Sequence, residues 1–120
     1  MLLEGKVAVV TGAARGLGRA YAEAMAREGA AIVAGDVRDC GETVAAITQA
    51  GGRAIGVALD VASFASCQAL AEAAIKSFGR IDALVNNAAL YANLKGGRFD
   101  QLDEAQWDRV MQVNVKGAWN

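Results

Sequence analysis

An apolar run, Val7-Ala8-Val9-Val10, passes directly into Thr11-Gly12-Ala13-Ala14-Arg15-Gly16-Leu17-Gly18, and the residues beyond read as an amphipathic helix. Strand, glycine-rich turn and helix in immediate succession constrain this chain more than any other feature. Glycine lets the turn backbone approach a bound group with no Cβ in the way. The unpaired N–H groups of a helix start, with the positive end of its dipole, favour an anion at the same place. The pattern suits the pyrophosphate of a dinucleotide; the plainer alternative is a turn that only packs a helix on a sheet.

The flanking sequence bears on that choice. Leu17, Ala20, Tyr21, Ala24 and Met25 fall at helical spacing with Arg19, Glu23 and Arg27 on the opposite face, so the five apolar residues are the expected core stripe. Gly29 ends this helix. A second apolar stretch, Ala30 to Gly35, runs to Asp36, which stands 24 residues after Gly12, near the spacing of an acid that binds a ribose.

Past Asp36, Asp39-Cys40-Gly41-Glu42 reads as a capping box for a second helix with the apolar stripe Cys40, Val44 and Ile47. Arg53 to Leu59 alternates as a strand with Ile55, Val57 and Leu59 on one face, ending at Asp60. Ser63 is the expected cap of a third helix with the stripe Cys67, Leu70, Ala71, Ala74, Ile75 and Phe78, stopped by Gly79. Ile81 to Val85 makes a fourth strand. After Asn86-Asn87-Ala88-Ala89 come an irregular stretch, Leu90 to Gln101, and a helix entered through Asp103, with Trp107, Val110, Met111 and Asn114 on one side. Strands alternating with helices imply right-handed crossovers, a parallel sheet covered on both faces, and hence a doubly wound α/β fold. No linker or repeat divides the 120 residues, so they read as one domain.

Composition excludes several classes. With 54% hydrophobic and 21% charged residues the chain is a globular core former, and a net charge of −1 with both signs interspersed gives no basic field for nucleic acid. No apolar run approaches the roughly 20 residues that cross a bilayer, and the first residues lack a signal-peptide layout, so a cytoplasmic location is expected. Histidine is absent and the two cysteines are far apart, which argues against a zinc site or a histidine-based triad.

Four segments together resemble the short-chain dehydrogenase/reductase family, over the whole chain. Thr11 to Gly18 is similar to the family's TGxxxGxG turn, Asp60-Val61 to its adenine-contacting pair, Asn86-Asn87-Ala88 to its NNAG segment, and Asn114 in Val113-Asn114-Val115-Lys116-Gly117 to the asparagine of its active-site tetrad. Ala89 departs from the pattern, standing where the family usually has glycine. The resemblance implies a Rossmann-like nucleotide domain, oxidation of alcohols or reduction of ketones with NAD or NADP, and a homodimeric or homotetrameric assembly. It implies a cofactor site of Gly12, Arg15, Gly16, Leu17, Gly18, Asp36, Asp60, Val61, Asn87, Ala88 and Ala89, and a catalytic role for Asn114. Each has a plainer reading: Asp60 as a helix cap, Asn86 and Asn87 as turn residues, Asn114 as an ordinary helix residue.

Asp36 decides the expected cofactor. Its carboxylate would accept hydrogen bonds from ribose hydroxyls, whereas a 2′-phosphate would bring like charges together. At about 4 Å and an effective dielectric of about 20, each unit pair costs about 4 kcal/mol, which favours NAD over NADP. Arg15 and Arg38 act against that repulsion.

The family's reaction also needs a serine and a Tyr-x-x-x-Lys pair, in which the lysine's ammonium lowers the tyrosine pKa so that it can exchange a proton with the substrate oxygen. The resemblance places these after the asparagine, beyond Asn120, so residues 1–120 read as the N-terminal, cofactor-binding part of a longer fold. Tyr91 and Lys95 spell the same spacing, but they follow the fourth strand, precede Asn114 and enter Gly96-Gly97, so a loop is expected there. Tyr91 and Phe99 are then loop aromatics near a substrate entrance or a subunit contact. The alternative function is a non-catalytic dinucleotide-binding or interaction module that ends at Asn120.

Overall fold

The computed structural model describes residues 1–120 as one four-stranded parallel sheet with helices on both faces. The strands are β1 (Val7–Thr11), β2 (Ala31–Asp36), β3 (Arg53–Ala58) and β4 (Ala83–Val85), in the spatial order β3-β2-β1-β4. Connecting them are α1 (Gly16–Arg27), α2 (Gly41–Gln49) and α3 (Phe64–Phe78); α4 (Glu104–Met111) follows β4 after a loop and a short 3₁₀ turn at Phe99–Gln101. No helix is long and apolar enough to cross a membrane.

β1 and β2 are unbroken apolar runs because α1 and α2 cover one sheet face and α3 the other, so both side-chain directions are buried. Ala8, Val10, Ile32 and Ala34 point into the first layer with Ala22 and Ile47. Val7, Val9, Ala31 and Val33 point into the second with Leu59, Leu70 and Ala74. β3 alternates as the sequence implies, with Ile55 and Val57 on the α3 side and Ala54 on the other. The chain runs outward from β1 to β2 and β3, then crosses back so that β4 pairs on the other side of β1. Such a reversal opens a crevice at the carboxyl ends of the strands.

Local signals behave unevenly. Ser63 caps α3 by accepting from the Ser66 amide at 3.2 Å, as expected. The capping box before α2 does not form: Cys40 is the N-cap, Asp39 accepts from the Gly41 amide at 3.1 Å, and Glu42 reaches Arg19 across to α1. The expected core stripe of α1 is also wrong. Leu17 and Tyr21 are 67% and 42% exposed and Ala20 and Ala24 are exposed, while Gly18 and Ala22 are buried, with Met25 and Ala26 half-buried beside them. Close approach of the helix to the sheet selects small residues for the contact face. In α4 and the helical turns that continue it to Trp119, the inward residues are Gln106, Val110, Val113 and Gly117, whereas Trp107 and Met111 face out. The fourth strand is shorter than expected, beginning at Ala83 with Ile81 exposed before it. The segment from Tyr91 to Lys95 is loop, so its tyrosine and lysine do not share a helix face.

Candidate nucleotide site

The turn after β1 is held by side chains from both neighbouring strand ends. Gly12 and Gly16 take φ of 68° and 59°, left-handed values that favour glycine. A Cβ on Gly18 would run into the Gly12 carbonyl and lie 2.6 Å from Asn87 Nδ2, so the third glycine is required for the turn to fold back on α1. From the β4 side, Asn87 Nδ2 donates to the carbonyls of Thr11 (3.0 Å) and Gly12 (3.2 Å). The Thr11 hydroxyl accepts from the Asn87 and Ala88 amides at 3.0 and 2.9 Å and donates to the Val85 carbonyl at 3.3 Å. One hydroxyl therefore joins the ends of β1 and β4.

The helix start is prepared for an anion. Arg15 is the N-cap of α1, with no side-chain cap and no acidic residue in the first turn. The amides of Gly16, Leu17 and Gly18 donate to no other protein group. These unpaired donors and the uncompensated dipole face the crevice.

From β2, Asp36 Oδ2 accepts from the Ala14 amide at 2.9 Å and Oδ1 from the Arg38 amide at 3.0 Å. Each oxygen keeps a lone pair for a further donor. Neither Arg15 nor Arg38 forms an ion pair. From β3, Asp60 Oδ1 accepts from the Ala62 amide at 3.0 Å, a turn of its own before the Ser63 cap, and Oδ2 is free. Val61 beside it is buried; its carbonyl accepts from Asn120 Nδ2 at 2.9 Å and its side chain packs on Gly117.

These ends surround a cleft of about 690 Å³. Gly12, Arg15, Gly16, Leu17, Gly18, Asp36, Asp60, Val61, Asn87, Ala88 and Ala89 all line it, and that size is ordinary for a cofactor site. Val37, Arg38, Leu59, the run Leu90 to Asn93, and Val113 line it as well. Sequence reasoning had not placed Val37, Leu59 or Val113 there; the signal available was their position at strand ends or one residue from a motif.

Asn114 lies outside this lining. Its Oδ1 accepts from the Leu90 amide at 2.7 Å and its Nδ2 donates to the Leu90 carbonyl at 3.0 Å, so the side chain clamps the loop leaving β4. It sits within a π-helical turn, Gln112–Lys116, before a last helical turn at Gly117–Trp119. Such a bulge inside a helix shifts the hydrogen-bond ladder by one residue and is common at functional sites.

Both thiols are free. Burial, then Asp36 and Asp39, pushes the Cys40 thiol up to about 11, and burial with Asp60 raises that of Cys67, so neither is poised as a nucleophile.

The family model for short chain dehydrogenase matches residues 6–120. An uncharacterised oxidoreductase of Methylorubrum extorquens is 45% identical over 119 residues, covering 97% of this chain and 47% of the relative. D-threitol dehydrogenase of Mycolicibacterium smegmatis is 44% identical over 119 residues, covering 98% of this chain and 45% of its own. Among solved structures, a double mutant of a Serratia marcescens short-chain dehydrogenase/reductase superposes with a TM-score of 0.92 at 35% identity, over 99% of this chain and 49% of that one. The chain thus spans about half the length of the relatives it matches. Matched by that family model over nearly its whole length, the chain belongs to the short-chain dehydrogenase family.

Proposed function

We propose that this chain is the cofactor-binding part of an NAD-dependent oxidoreductase that interconverts a secondary alcohol and a ketone. The observation that carries the choice of NAD is the Asp36 carboxylate, fixed by the Ala14 and Arg38 amides at the rim of the cleft. A fixed carboxylate accepts from vicinal hydroxyls without reorganising, and it repels a phosphate at the same place. The amides of Gly16 to Gly18 would hold the pyrophosphate, and Asp60 and Val61 the adenine. Bound there, the cofactor supplies or accepts the hydride.

Asn114 acts on this site by holding Leu90, and with it the floor of the cleft next to Ala88 and Ala89. The proton-transferring serine, tyrosine and lysine belong, in this reading, to sequence after Asn120. Galactitol 2-dehydrogenase of Agrobacterium fabrum, 40% identical, and the D-threitol enzyme are named for polyhydroxy alcohols, which makes small polyols the first substrates to try. A homodimer or homotetramer in the cytoplasm completes the reading; the two free thiols accord with a reducing compartment.

Fluorescence titration of the full-length protein with NADH and NADPH tests the cofactor assignment. NADH is expected to bind at least about tenfold tighter, and Asp36→Ala is expected to remove most of that preference. Equal affinities in the wild-type protein would refute the role given to Asp36.

A further inference from the structure

The Ala13-Ala14 backbone lies between Gly12 and Arg15 of the cleft lining, and its polar groups are held by two elements, the amides by the end of β2 and the carbonyls by α2. Ala13 is fully buried and its amide donates to the Gly35 carbonyl at 3.2 Å. The next amide, of Ala14, donates to Asp36 Oδ2 at 2.9 Å. The Ala13 carbonyl accepts from the hydroxyl of Thr43 at 2.7 Å, and the Ala14 carbonyl is 3.4 Å from the same oxygen. A hydroxyl carries one proton, so the shorter contact is the bond and the longer one a weak second branch.

Thr43 is 0% exposed, in the first turn of α2. The same helix contains a threonine with the usual behaviour: Thr48 donates to the Val44 carbonyl one turn back, at 2.9 Å, on the exposed side. Thr43 instead donates across elements, from α2 to the turn after β1. Deleting its hydroxyl leaves a buried carbonyl without a donor, and the peptide that carries the Ala14 amide is then free to tilt. That amide is one of the two groups orienting Asp36.

We infer that Thr43 is a positioning residue for cofactor discrimination: by fixing the Ala13-Ala14 peptides it holds the Asp36 carboxylate in the orientation that accepts ribose hydroxyls and excludes a 2′-phosphate. The inference rests on the nucleotide site proposed above and adds a residue that touches no part of the cleft, since Thr43 is absent from its lining. It assigns α2 a function in addition to covering the sheet.

The test compares Thr43→Val, which keeps the shape and removes the donor, with Thr43→Ser, which keeps the donor, in the full-length protein. The readout is the ratio of NADPH to NADH dissociation constants by fluorescence titration. Thr43→Val is expected to weaken NADH about fivefold, the equilibrium worth of one neutral hydrogen bond, while NADPH changes less than about twofold; Thr43→Ser stays within about twofold of wild type for both. In an Asp36→Ala background, Thr43→Val is expected to leave the ratio unchanged, because the group it positions is gone. Should the valine variant fail to fold, Thr43→Cys, a weaker donor of similar size, is measured in its place. An unchanged ratio in a folded Thr43→Val or Thr43→Cys protein, or equal weakening of both nucleotides, would overturn the inference while leaving the site intact. Failure of the wild-type protein to bind either nucleotide would overturn the site itself and this inference with it.

Discussion

Gly18 shows how tightly single residues are set in this cleft. It is buried under the turn it helps to make, with the Gly12 carbonyl and the Asn87 amide group occupying the space of a side chain. Both neighbours are fixed, one as backbone and the other by its bonds to Thr11 and Gly12, so neither can yield cheaply. Gly18→Ala is expected to cost on the order of 2 kcal/mol in chemical denaturation and to abolish NADH binding. Gly97→Ala, where an added Cβ meets nothing, is the control and is expected to change neither. A stable, NADH-binding Gly18→Ala protein would show that the turn is not constrained in this way. The motif glycines and Asp36 were legible in the sequence because each answers a backbone or charge requirement at a fixed spacing. Thr43 was not, since a threonine in a helix reads as a surface residue until its partner in another element is known.

At the scale of elements, β1 and β4 are joined at both ends by side chains. At the cleft end the Thr11 hydroxyl and Asn87 make the joint. At the opposite end Asp82 Oδ2 accepts from the Val7 amide at 2.8 Å, while Oδ1 accepts from Arg80. Bonding to Arg80, then to the Val7 amide, holds the Asp82 carboxyl below its usual range. A carboxyl depressed in the folded state stabilises it fully above the unfolded pKa of about 3.9, and that contribution is lost as pH falls through the lower folded value. The stability difference between wild type and Asp82→Asn, from denaturation at a series of pH values, is therefore expected to be constant from neutral pH to about 5 and to shrink on acidification below about 4. A difference independent of pH would mean that the charge on Asp82 contributes nothing to the joint.

Element order, strand polarity and the α3 caps could be read from the sequence, because periodicity and turn chemistry are local. The inward faces of α1 and α4 could not. Periodicity finds the most apolar stripe, which in α1 is Leu17 and Tyr21, whereas a helix lying close on a sheet turns its smallest residues inward, here Gly18 and Ala22. The π-helical turn at Asn114 was equally hidden, for nothing in Gln112–Lys116 differs in kind from ordinary helix sequence.

The molecule as a whole is looser than its length implies. A folded monomer of this mass exposes about 6,100 Å², and 120 residues give a radius of gyration near 13–14 Å in a compact domain. The observed values are 7491 Å² and 15.4 Å. Much of the exposed apolar surface lies on β4, which has a free edge and a 56% exposed Leu84, on the loop after it with Tyr91 and Phe99, and on the helical turns beyond, where Trp107 and Trp119 are largely exposed. Residues 1–120 produced alone are expected to self-associate in light scattering, to bind a hydrophobic dye, and to form no NADH from an alcohol. A monodisperse, dye-negative monomer would refute the first two, and turnover would refute the placing of the proton-transfer residues elsewhere. The brace between Thr11 and Asn87 also has a kinetic meaning. Its partners are 76 residues apart, and Asp82 and Val7 are 75 apart, so these contacts close the longest loop in the sheet. Loop closure of that kind is late and slow compared with the neighbouring β1, α1 and β2 unit. During synthesis the glycine turn would leave the ribosome well before the strand that braces it, and the nucleotide cleft would be among the last parts of the chain to become native.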